Sequence, residues 1–181
     1  MTNVFFTADT HFGENYRKLR KRPFPSIEEM TKALIQNWNK VVGERDTVYH
    51  LGDFGYSLGI LSIFKQLHGN KILVRGNADP FPLLSLDWVE VAESMTIDVQ
   101  GQNLWLAHHP HKRWPGQDRG TWHLHGHCHG LDYTKPGRLD GGVDCWDFRP
   151  IAFAEIRERM DLLRGNSHNS SVTLQGHYLR Y

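Results

Sequence analysis

Four histidines fall at every second position in the run His123-Leu-His125-Gly-His127-Cys-His129. Alternate side chains of a β-strand share a face, so the run reads either as a polar strand edge or as half of a metal site. Its surroundings favour the metal site, because seven of the chain's 12 histidines lie between His108 and His129. Further donors stand earlier in the chain: Asp9 with His11, then Asp53, Asn77 and His108. Carboxylate oxygen, amide oxygen and imidazole nitrogen together suit borderline divalent ions such as Mn, Fe, Zn, Co and Ni. An all-oxygen set would suit Mg or Ca better. Seven candidates, Asp9, His11, Asp53, Asn77, His108, His127 and His129, are too many for one tetrahedral ion. They suit two ions sharing a bridging carboxylate.

The elements that must position these groups read as strands alternating with helices. Residues 3–8 (NVFFTA) form an apolar run that ends on Asp9 and fits a buried strand. Ser26-Ile-Glu-Glu29 is a capping box. It opens a helix with Met30, Ala33, Leu34, Trp38 and Val41 on one face. A strand over 47–51 delivers Gly52-Asp53, a helix follows over about 58–67, and a strand over 71–74 runs into Arg75-Gly76-Asn77. Residues 89–99 and 103–107 flank a hairpin-like turn at Gln100-Gly101-Gln102. Residues 121–125 read as a strand, Val143 as part of another, and 151–163 as a last helix. This is an α/β pattern with mixed sheets. Its apolar runs end one after another in hydrophilic groups, and ligand sites of α/β folds gather beyond the carboxyl ends of strands. Gly52, Gly76 and Gly126 each precede a candidate ligand, where a tight bend would turn the next side chain into a crowded site.

The 181 residues are enough for one domain with a substantial core, expected over 1–164, with 165–181 a peripheral segment or tail. The 21 Lys and Arg nearly balance 20 Asp and Glu. That balance leaves no electrostatic footprint for a long nucleic-acid duplex or an anionic membrane. Cys128 and Cys145 are too few for a disulfide framework and suit a reducing compartment. The opening MTNVFFTADTHFG meets acidic and polar residues at once, unlike a signal peptide. A cytoplasmic location is the expectation.

In order, the blocks Asp9-Thr-His11, Gly52-Asp53, Gly76-Asn77, His108 and Gly126-His127-Cys-His129 resemble the calcineurin-like metallophosphoesterase family, whose pattern is D-x-H, G-D, G-N-H-[DE], H and G-H-x-H. The phrases THFG, YHLGDFG, WHLHGH and GVD look like a small bacterial or phage branch. The resemblance implies a four-layered α/β/β/α sandwich with two facing mixed sheets. It also implies that Asp9, His11, Asp53 and His129 hold one ion and Asp53, Asn77, His108 and His127 the other, with Asp53 bridging. Mn is favoured among Mn, Fe, Zn and Ni. The activity implied is hydrolysis of a phosphodiester or phosphomonoester, the diester slightly favoured, by attack of a metal-bridging hydroxide. The substrate would be a small phosphate ester, with a nucleotide-like one among the options.

Two positions depart from the family pattern. Ala78 stands where a histidine usually serves the leaving group or holds the phosphate, and losing a positioned general acid costs on the order of 10²–10⁴ in rate. Ala78 therefore motivates a second expectation, a degenerate metal-containing scaffold without turnover. Glu14 stands where similar sequences carry another histidine. Other residues of the histidine-rich segment, His109 and Arg113 above all, could bind phosphate or replace the missing acid, although a solvated loop is the plainer reading. Alternation turns Cys128 away from its flanking ligands, as a small filler. His123 and His125 belong to the strand leading in, with surface or ligand-orienting roles, and Arg75 is expected to pair with a carboxylate.

Overall fold

The computed structural model describes residues 2–14, 22–131 and 135–166. Strand β1 spans Val4–Thr7, helix α1 Ile27–Val41, β2 Thr47–His50, α2 Ile60–Gln66 and β3 Asn70–Val74. Ser26 caps α1, its side chain accepting from the Glu29 amide. Met30, Leu34 and Trp38 form the buried stripe of that helix. The sequence pattern thus carries directly into the first half of the fold.

The second half departs from it in instructive ways. Residues 89–99 are two strands, β4 (Glu90–Ala92) and β5 (Ser94–Val99), and they belong to different sheets. A continuous β-prone run gives no local sign that the chain changes sheets at Glu93. The hairpin from β5 to β6 (Gln102–Ala107) is as expected, with Gln100 and Gly101 both at positive φ, as a two-residue turn of matching twist requires. β7 is Trp122–His125 and β8 is Arg138–Asp140. Val143 lies in a short 3₁₀ turn, Val143–Cys145, rather than in a strand. The run at Ile151 begins as a two-residue strand, β9 (Ile151–Ala152), before helix α3 (Phe153–Asn166). That helix passes the boundary expected at residue 164, and 167–181 lie outside the described residues.

The first sheet has the order β4-β3-β2-β1-β9. Its first four strands run parallel, and β9 is antiparallel to β1. The second sheet, β5-β6-β7-β8, is mixed as well. Phe6, Ala8 and Val74 of the first sheet meet Leu104, Leu106, Leu124 and Leu139 of the second in one core, joined by Ile156 and Met160 of α3. On the other face of the first sheet, Phe5, Val48 and Leu73 pack against α1 and α2. The chain therefore forms the expected α/β sandwich of two mixed sheets.

The outer face of the second sheet is also covered. His123 and His125 are buried there, correcting the surface position open to them in the sequence. Trp105 and Trp114 pack against the His123 ring. Among the described residues, no helix is long and apolar enough to cross a membrane.

Candidate metal centre

All seven candidate ligands lie just beyond the carboxyl ends of five strands, β1, β2, β3, β6 and β7. The two sheets bring these ends to one rim. The backbone bends sharply to turn the side chains in. Asp9, His11, Asp53, His127 and His129 all have positive φ, and they are five of eight such non-glycine residues among those described. L-residues pay roughly 1–2 kcal/mol for that conformation, and strain of this kind clusters at functional sites. Gly52 also lies at positive φ, and a Cβ there would sit 2.6 Å from the Gly76 backbone and from His108 Nδ1. Gly76 and Gly126 differ from the sequence reading. They serve by close approach rather than by a special turn, since a Cβ on Gly76 would meet Asp53 Oδ1 at 2.2 Å.

Lone pairs converge on the centre. Asp53 Oδ2 lies 3.4 Å from His108 Nε2 and 3.7 Å from His11 Nε2. His108 Nε2 is also 3.0 Å from Asn77 Oδ1. The hydrogen bonds on the far side of each ring fix which nitrogen faces in. His108 Nδ1 donates to the Leu51 carbonyl at 2.8 Å. His129 Nδ1 meets Asp144 Oδ2 at 2.8 Å and His11 Nδ1 meets Glu14 Oε2 at 2.9 Å. Each outer partner accepts, so each Nδ1 carries the proton and each Nε2 is left for the centre, the arrangement that orients histidine ligands. The His11 and His129 rings stack with centroids 5.3 Å apart. Inward nitrogens, an amide oxygen and carboxylates repel one another unless a proton or a cation lies between them. This donor set fits divalent metal.

The titration behaviour agrees. Burial pushes the Asp53 carboxyl up, but the His108 imidazole, the Ala78 amide and His11 outweigh it and bring it to about 2. Against its own burial, His108 is held above the usual imidazole range, chiefly by Asp53. Asp9 is raised well above the carboxylate range by burial and then by Asp140. Two triads have donor atoms within 4.8 Å of one another: Asp9-His11-His129, which falls within the first expected set, and Asp9-Asp53-His108, which spans both sets through the shared Asp53. A third, His108-His109-His127, was not foreseen as a ligand group.

Several supporting residues had no assigned role in the sequence. Asp79, buried, accepts the backbone amides of Asp53, Phe54 and Gly76 at 3.0, 2.8 and 2.7 Å, tying two strand ends together. Arg22 grips Asp144 with two bonds of 2.7 Å and donates to the carbonyls of Asp9 and Thr10. Burial raises the Asp144 carboxyl, yet His129 and Arg22 hold it far below the usual range. Asp144 lies in the GVD phrase and Asp79 in Gly-Asn-Ala-Asp, so both had a sequence signal. Arg22 had none.

A hollow of about 160 Å³ over the centre is lined by His11, Glu14, Asp53, Asn77, Ala78, His127 and His129. A second cleft of about 390 Å³ opens beside it, sharing Asn77 and reaching His108, His109, His111 and Trp105. The His109 ring packs 4.4 Å from that of His127. Arg113 is exposed on the same loop. Arg75 pairs with Glu93 at 3.3 Å, as expected. Cys128 is half-buried.

No family model matches the chain. The gene 66 protein of Mycobacterium phage D29 is 27% identical over 197 residues, covering 89% of this chain and 97% of the phage protein. The solved structure of AQ665 from Aquifex aeolicus, a protein of unknown function, superposes with a TM-score of 0.70 at 25% identity, over 88% of this chain and 100% of that one. The uncharacterized protein MJ1445 of Methanocaldococcus jannaschii is 32% identical over 164 residues, 84% of this chain and 88% of the relative. Identity at that level over nearly the whole of both chains makes this protein a member of the same family as MJ1445.

Proposed function

We propose that this protein is a dinuclear metal-dependent phosphoesterase of the calcineurin-like type, cleaving a small phosphodiester or phosphomonoester. The observation that carries this reading is the convergence of seven donors from five strand ends, with three imidazoles held in the same tautomer by outer partners. Asp9, His11, Asp53 and His129 would hold one ion, and Asp53, Asn77, His108 and His127 the other. When bound, two such ions supply an activated water at neutral pH and a clamp for phosphoryl oxygens.

The chain's own residues set the rest. Asp53, its carboxyl lowered to about 2, stays ionised throughout the working range and serves both positions. Glu14 and Asp144 fix His11 and His129. The cleft beside Asn77 and His108 offers room for the leaving group. Ala78 contributes its backbone amide to Asp53 Oδ1 at 2.8 Å and no side-chain acid. A diester or an ester with a good leaving group is therefore the favoured substrate, with Mn²⁺ the first metal to supply.

The test is metal analysis of the purified protein, followed by Mn²⁺-supplemented hydrolysis of bis-nitrophenyl and mono-nitrophenyl phosphate. Asp53→Asn should lose metal and activity together, and full activity in that variant sinks the reading. Ala78 itself favours a second reading, a metal-containing scaffold without turnover. Two bound ions with no hydrolysis of either ester would establish that reading instead.

A further inference from the structure

We propose that His109 is a ligand of the second ion, which is thereby held by three imidazoles, from His108, His109 and His127. This rests on the dinuclear reading above and adds to it a ligand outside the expected set. Three observations carry it. One nitrogen from each of the three rings lies within 4.8 Å of the others, a spacing a single ion can bridge. The His109 ring sits over both neighbours, its centroid 4.4 Å from that of His127 and 4.8 Å from that of His108. The backbone is also bent at that point. Consecutive residues of a strand face opposite ways, but β6 ends at Ala107 and the chain bends at 108 and 109. Two successive imidazoles thus reach the same side.

A solvated loop side chain has no reason to gather with two other imidazoles and no carboxylate in its own triad. Metal supplies that reason. The consequence is an asymmetry between the two positions. The first has two carboxylates and two imidazoles, Asp9, Asp53, His11 and His129. The second has three imidazoles with Asn77 and Asp53, a nitrogen-rich set that prefers Zn²⁺, Co²⁺ or Ni²⁺ over Mn²⁺ more strongly.

The experiment is a calorimetric titration of metal-free protein with Co²⁺ and then Mn²⁺, with the Co²⁺ visible absorption recorded at each addition. Wild type should take up two ions. His109→Ala, a change at an exposed side chain, should leave the first affinity intact. It should weaken the second by about tenfold or more, by analogy with the loss seen when even outer partners of ligands are removed, and alter the absorption of the second Co²⁺. The Co²⁺-over-Mn²⁺ preference of the second step should fall in the same variant. If wild type binds two ions and His109→Ala matches it in both affinities and spectrum, the proposal is overturned while the dinuclear reading stands. Wild type that binds one ion or none overturns both.

Discussion

The imidazole of His129 and the carboxylate of Asp144 meet at 2.8 Å, and the same carboxylate is held by Arg22 through two bonds of 2.7 Å. Arg22 in turn binds the Asp9 carbonyl, so one buried guanidinium braces the two ends of the proposed first metal position, Asp9 and His129. Asp144→Ala removes the centre of this brace. Metal affinity should fall by about 10–100-fold, the usual cost of losing the partner behind a histidine ligand. Stability should fall by about 3–5 kcal/mol, since Arg22 is left buried and unpaired. Calorimetric metal titration and thermal melts of the metal-free variant check the two effects separately.

Asp79 should prove a determinant of stability rather than a ligand. Its carboxylate accepts three buried amides, and hydrogen bonds to charged groups are worth about 1.5–3 kcal/mol each. Asp79→Ala should lower the melting temperature sharply even without metal. An unchanged melt would show that the two strand ends are held by other means.

Gly126→Ala should damage the centre although alanine differs by one methyl group. The new Cβ would lie 2.5 Å from Ala8 Cβ and 2.7 Å from Asp9 Oδ2. Relieving that overlap costs about 1–3 kcal/mol and moves the carboxylate that accepts the His127 amide at 3.0 and 2.9 Å. The expected result is weaker metal uptake together with a lower melting temperature.

Acid should destabilise the metal-free protein earlier than carboxylate protonation alone would bring about. Burial lowers His50 and His123 to about 3 each, with neighbouring His125 adding to the effect at His123. Both are neutral in the fold and take up protons on unfolding. Their stabilisation is full above the ordinary histidine value of about 6.5 and is lost as pH falls from there toward about 3. Each shift corresponds to a loss on the order of 4 kcal/mol. Melting temperature followed from pH 7.5 to 4 should fall from about pH 6.5 downward. His123→Gln should flatten that slope, and a wild-type profile flat to pH 4.5 would contradict it.

The carboxylate of Glu14 meets His11 Nδ1 at 2.9 Å. It therefore supports a proposed ligand from behind as well as lining the hollow. Glu14→Gln should weaken binding of the first ion while leaving the second step of a metal titration unchanged. A loss confined to the second step would place Glu14 elsewhere in the mechanism.

The sequence by itself determined the donors, their order and their place after apolar runs, because strand periodicity and turn chemistry act over a few residues. It also determined the capped helix at Ser26, the hairpin at Gln100-Gly101 and the pairing of Arg75 with a carboxylate. The tertiary structure decided what depends on distant segments meeting. The switch between sheets at Glu93 follows from which edge each strand finds, and nothing in a β-prone run encodes that. Arg22 reaches Asp144 across 122 positions, so only the packed fold could identify it. His123 and His125 are buried because the loop carrying Trp114 folds back over their sheet. His109 read as one polar residue among several on a loop. The bend beyond β6 sets its ring against those of His108 and His127, and that gathering of imidazoles is the ground on which it is proposed as a ligand.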